Sequence, residues 1–106
     1  METWKDQKTG LEWQVDPAAE TMTWAEAKKY AAGLDPDGGG WRLPTKDELV
    51  GISGKNRPKE LGGNGWYWSS SPVEDIGIYA WYVNFNYGDV GYNYDVDYDT
   101  HVRCVR

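Results

Sequence analysis

The sequence is poor in the residues that most small domains lean on. Its 106 residues include one cysteine, one histidine and one phenylalanine. A lone thiol forms no internal disulfide, so the chain must hold together without the staples common in small secreted domains. One histidine and one cysteine do not assemble a nucleophile–base pair, and Ser69-Ser70-Ser71 has no partner base, so enzymatic turnover is not expected. Leu, Ile, Val and Phe together supply 17 of 106 residues. With a net charge of −6, so small an aliphatic share approaches that of disordered chains. No apolar run nears the ~20 residues of a membrane helix, so membrane insertion is not expected. The start, Met1-Glu-Thr-Trp-Lys-Asp-Gln7, lacks the apolar stretch of a signal peptide.

Seven Trp and eight Tyr reverse the first impression. Each ring buries a large area, so a few aromatics replace many aliphatics. The expectation is a single domain over 1–106 with an aromatic core.

Charge is unevenly placed. No Lys or Arg stands between Lys59 and Arg103, and Glu74, Asp75, Asp89, Asp95, Asp97 and Asp99 fall in that gap. The whole net charge of −6 therefore lies in 74–99, and the remainder sums to zero. Such a segment repels nucleic acid, sulfated glycans and anionic lipid, and favours a neutral or basic partner. Asp95-x-Asp97-x-Asp99 opens like a calcium loop, but the sixth place is Thr100 and the twelfth is Arg106, which excludes an EF-hand. No metal or other cofactor is expected. His101 reads as structural, and Cys104, in Val-Arg-Cys-Val-Arg, as a buried structural thiol.

Along the chain, residues 4–14 predict a hairpin turning at Lys8-Thr9-Gly10, with Leu11 and Trp13 on one face. Thr23-Trp-Ala-Glu26 is a capping box that opens a helix reaching about Ala32 and stopping at Gly33. Trp24, Ala27 and Ala31 share its inner side, and Lys28 and Lys29 face water. Asp35 to Gly40 is a loop, and Trp41-Arg-Leu-Pro44 is extended because the residue before proline avoids the helical region. Thr45-Lys-Asp-Glu48 is a second capping box, before a short helix with Leu49 and Ile52 inward. After a loop over 54–65 the pattern turns to strand. Trp66 to Pro72 is one, 78–87 alternates Trp81, Val83 and Phe85 against Ala80, Tyr82, Asn84 and Asn86, and His101–Arg106 is the last. This order predicts an α+β fold with two helices packed on a twisted antiparallel sheet.

Residues 84–99 stand apart. Eleven of the sixteen are Tyr, Asn or Asp, and Asp and Asn are poor strand formers. Tyr offers large amphipathic contact at low entropic cost, and Asn and Asp offer adaptable hydrogen bonds, which is the chemistry of paratopes. The segment reads as a binding surface.

Thr9-Gly-Leu-Glu-Trp-Gln14, Met22-Thr-Trp-Ala-Glu-Ala-Lys28, Gly39-Gly-Trp-Arg-Leu-Pro-Thr-Lys-Asp-Glu-Leu49 and Tyr67-Trp-Ser-Ser-Ser71 form one set. With Ala80-Trp-x-Val-x-Phe85 and Val102-Arg-Cys-Val-Arg106, they resemble the family named for the C-terminal domain of a Legionella collagen-like protein. Arg42-Leu-Pro-Thr45 is also similar to formylglycine-generating enzymes. Both resemblances imply a C-type-lectin-like fold. Those enzymes use a cysteine pair with copper where this chain has one Cys, and the lectin calcium motifs Glu-Pro-Asn and Trp-Asn-Asp are absent from the sequence. Segment 74–99 is further similar to variable proteins of diversity-generating retroelements. In these, mutated adenines, often in Asn codons, yield Tyr, Asp, Asn and a few others between fixed residues, here Trp81, Val83, Phe85 and Gly88. That resemblance implies a receptor-recognition protein of a virion or cell surface that binds a protein ligand. Its carriers would be Tyr79, Tyr82, Asn86, Tyr87, Asp89, Tyr92, Tyr94, Asp95 and Tyr98. The alternative reading is a calcium-independent carbohydrate-binding adhesin domain.

Overall fold

A computed structural model describes residues 1–34, 38–74, 77–92 and 95–106. Asp35, Pro36 and Asp37 of the expected loop, Asp75, Ile76, Asn93, and the candidate Tyr94 lie outside the described residues.

The N-terminal hairpin pairs β1 (Thr3–Lys5) with β2 (Glu12–Gln14), placing Trp4 opposite Trp13. Its turn is organised from Asp6, whose carboxylate accepts from the Lys8 N–H at 2.9 Å and whose carbonyl accepts from the Gly10 N–H at 2.8 Å. Both capping boxes form. Thr23 and Glu26 close the start of α1 (Trp24–Gly33), and Thr45 and Glu48 that of α2 (Lys46–Val50). Reciprocal satisfaction of two free N–H groups is what starts so short a helix as α2. A single 3-10 turn follows at Gly54–Asn56.

Three antiparallel strands lie in the order β3 (Trp66–Pro72), β4 (Ala80–Asn84), β5 (Val90–Gly91). Tyr67 opposes Val83 and Trp68 opposes Tyr82, but then Pro72 opposes Ala80, so the ladder slips across Ser69-Ser70-Ser71. The serine run is thus a bulge. Ser69 Oγ donates to the Trp81 carbonyl at 2.7 Å and accepts from the Ser71 N–H at 3.1 Å, replacing ladder bonds that the extra residues break.

Each face of this sheet has its own core. Trp68, Ala80 and the half-buried Tyr82 pack with Ala27 and Ala31 of α1, Trp41, Leu43, Val102 and Cys104. Tyr67, Val83 and Phe85 pack on the other side with Trp13, Leu49, Ile52, Leu61 and Val105. The aromatic core expected from composition is therefore two cores sharing one sheet, and the small alanines of α1 let it approach Trp68. The indoles are tied as well as buried: Trp68 Nε1 donates to the Met22 carbonyl and Trp24 Nε1 to the Ser69 carbonyl, both at 2.8 Å.

The predicted last strand requires correction. His101–Arg106 is extended and central, but it makes only isolated bridges. Tyr67 pairs with His101 in parallel, and Val105 bridges Trp13 on one side and Arg42 on the other. The carbonyls of Val102, Cys104 and Arg106 accept from Ala18, Gln14 and Glu12. Partners change every two or three residues, so no ladder runs long enough to be a strand. Val102, Arg103, Cys104 and Val105 are all buried. Burial pushes the Cys104 thiol up to about 12, which leaves it protonated and unreactive, in line with a structural role.

Two ion pairs clip this arrangement. Arg106 Nε meets Glu12 Oε1 at 2.8 Å, and Arg42 grips Glu48 with both amino groups at 2.8 and 2.9 Å. The Thr3 hydroxyl and then Arg106 hold the Glu12 carboxyl below the ordinary value of 4.5. Arg42 is the main cause for Glu48. Because the folded values are depressed, their stabilisation is complete above the ordinary value and is lost as pH falls through the folded ones. The Tm is expected to be flat from about pH 7 to 5 and to drop below about 4.5. A Glu12→Gln/Glu48→Gln variant should melt below the parent at neutral pH and converge with it as pH falls below the folded values, as read by thermal denaturation across pH.

Candidate functional site

The β4–β5 hairpin divides the candidate residues into two groups. At its tip, the Asn84 carboxamide accepts from the N–H groups of Asn86 and Tyr87 at 2.9 and 3.2 Å, and the Asn84 N–H donates to the Asp89 carbonyl at 2.8 Å. These bonds bend the chain. Asn86 is exposed but engaged: its Oδ1 accepts from the Gly65 N–H at 2.7 Å and its Nδ2 donates to Asn64 at 2.9 Å. Tyr87 stands free at the tip with 77% of its surface exposed, and Asp89 is exposed beside it.

At the open end, Tyr79 bridges Asp95, and the Asp95 carboxylate accepts from the Asp97 N–H at 2.8 Å. The Asp95-x-Asp97-x-Asp99 run therefore folds on itself. Among the described residues no group of three His, Cys, Asp or Glu side chains is placed to hold a metal ion. Tyr92 and Tyr98 are 53% and 58% exposed. Some four residues of strand, about 13 Å, separate this end from the tip.

Between the two groups Tyr82 serves the interior. Its ring lies across Gly91, where a β-carbon would collide with it, and makes edge contacts with Trp66 at 4.8 Å and Trp68 at 6.3 Å. Part of the Asn, Asp and Tyr density is thus turn chemistry and packing. The exposed aromatics that remain are Tyr87, Tyr92 and Tyr98, joined by Ile78, Val90 and the edge of Trp66.

Trp81 belongs to the site although its alternation with Val83 and Phe85 placed it in the frame. Those two neighbours are fully buried, while Trp81 is half-exposed where the face runs out of cover. Its ring meets Tyr92 at 5.5 Å, and the Lys46 ammonium sits 4.5 Å from its centroid. It walls a groove of about 740 Å³ between the start of α2 and the serine bulge, lined also by Thr45, Asp47, Ser70, Ser71 and Glu74. The bulge opens it, because a slipped ladder leaves a gap beside a strand, and no local pattern of the sequence carries that slip.

The sequence matches the family model of the Lcl C-terminal domain over residues 2–106. No curated protein matches the chain. Among the described residues no helix is long and apolar enough to cross a membrane.

Proposed function

The chain belongs to the Lcl C-terminal domain family, and from that premise we propose that it is a ligand-recognition domain without turnover. In this reading the fold is C-type-lectin-like and serves as a rigid frame. The segment 74–99 presents the binding surface, and the partner is a neutral or basic protein met on a virion or cell surface. The chain is then a variable protein of a diversity-generating retroelement.

One observation carries the reading. Within a single acidic stretch, Tyr87, Tyr92 and Tyr98 are more than half exposed while Val83 and Phe85 are at most 1% exposed. Rings left in water beside a filled core contribute little to folding, and they are the side chains that interfaces favour. The acidic surroundings select against anionic partners.

Sequencing the gene across its source population tests the proposal. Variation should concentrate at the codons for Tyr87, Asp89, Tyr92 and Tyr98, with Trp68, Val83, Phe85, Gly91 and 102–106 fixed. A segment as uniform as its frame sinks the retroelement assignment. In parallel, Tyr87→Ala, Tyr92→Ala and Tyr98→Ala should each change stability by only about 0.5 kcal/mol, as expected away from the core. A large loss from any of them would make that ring part of the frame.

A further inference from the structure

We propose that the groove walled by Trp81 is the anchor site for an arginine side chain of the partner, at the position that the protein's own Lys46 now fills. The inference rests on the recognition reading and names the chemistry of one contact in it.

Lys46 supplies the first argument. Its ammonium lies over the Trp81 ring at 4.5 Å, so this ring face already accepts a cation. Among the described residues Lys46 forms no ion pair, so an incoming cation that displaces it breaks one exposed contact only. Charge supplies the second. Among the described residues Asp47 and Glu74 line the groove with Lys46 as the one cation, and no Lys or Arg stands between Lys59 and Arg103.

Rigidity supplies the third. The Lys46 N–H donates to Ser71 Oγ at 3.2 Å, the Ser70 N–H to the Pro44 carbonyl at 2.7 Å, and Ser69 Oγ to the Trp81 carbonyl at 2.7 Å. Both walls are thereby tied before any ligand arrives, which lowers the ordering cost of binding. Arginine fits better than lysine. Its guanidinium is flat and weakly hydrated, stacks on an indole, and offers a fork of donors to a lining of hydroxyls and carboxylates.

The test is a titration of the full chain with N-acetyl-arginine amide, followed by ¹⁵N NMR, with the Trp81 indole signal identified by Trp81→Phe. A saturable shift of the Trp81 indole and of the Ser70 and Ser71 amides is expected. N-acetyl-lysine amide should bind more weakly. Lys46→Met should bind the arginine probe about two- to fivefold more tightly, the worth of one exposed cation–π contact. Asp47→Asn/Glu74→Gln, which leaves the groove's shape, should weaken it. Absence of a saturable shift up to about 100 mM probe, well beyond millimolar affinity, overturns the proposal. So does a saturable shift of the same signals by methyl glucoside without one by the arginine probe, which would make the groove a sugar site. Failure here with variation found at the exposed tyrosine codons removes the anchor alone. Success with a uniform segment keeps the anchor on a partner of fixed identity.

Discussion

Gly54→Ala should destabilise the domain by about 2–4 kcal/mol, a fall in Tm of about 10 °C or more. Gly54 has φ +60°, and a β-carbon there would stand 2.7 Å from the Tyr87 carbonyl oxygen and 2.9 Å from its carbon. Both neighbours are backbone. They cannot swing aside as a side chain would, and the Gly54 N–H is itself bonded to the Phe85 carbonyl at 2.9 Å. The left-handed conformation alone costs an L-residue about 1–2 kcal/mol; the collision adds the rest by prying the hairpin tip off the loop after α2. Gly10→Ala is the control, since Gly10 also has positive φ (+76°) but a β-carbon there meets nothing within 4 Å. Paired thermal melts should separate the two by at least about 1 kcal/mol. Equal losses would mean that the tip does not rest on Gly54 in solution. In the proposed reading the loss also bears on recognition, because the tip carries Tyr87.

Arg103→Ala should cost about 3–5 kcal/mol. Arg103 is 1% exposed, and its guanidinium carbon lies 4.7 Å from the Phe85 ring and 5.3 Å from Tyr67. Its Nη2 donates to the carbonyls of Val15, at 3.0 Å, and Gly62. Burial lowers its proton affinity, opposed chiefly by Tyr67. Among the described residues two donors, Nε and Nη1, have no acceptor, so the group acts mainly as a flat slab between rings and less as a compensated charge. That reasoning ranks the substitutions. Arg103→Met fills the space without a desolvated charge and should lose only about 1–2 kcal/mol, whereas Arg103→Lys keeps the charge and loses the plane, and should lose more than Met. Urea denaturation of the three variants gives the order. Lysine milder than methionine would show that charge, not stacking, holds this centre.

How much was legible beforehand follows from the range of the forces involved. Both capping boxes, the hairpin, the inward Ala27, Ala31, Leu49 and Ile52, and β3 and β4 follow from interactions within a few residues, and the structure contains them. The end of the chain was misread as a strand because its hydrogen-bond partners are Glu12, Gln14, Ala18, Arg42, Trp66 and Trp68, a set no local pattern encodes. The groove stayed hidden for the same reason, since a bulge is a property of register between β3 and β4. The acidic, tyrosine-rich stretch was visible as composition. Its division into turn builders (Asn84, Asn86, Asp95), a packing ring (Tyr82) and exposed rings (Tyr87, Tyr92, Tyr98) was not, because these share residue types and differ only in their neighbours.

The position of residues 101–106 has a consequence for synthesis. They lie between the hairpin, the Trp41–Pro44 stretch and β3, so neither core closes until the last of them has left the ribosome. The exposed tyrosines are translated before that point. A stop codon anywhere in 74–99 removes the keystone along with part of the surface. Such a truncated chain should stay open to degradation, while a missense change at an exposed tyrosine passes through to a finished molecule. The order of the chain thus sorts faulty copies from merely different ones during manufacture.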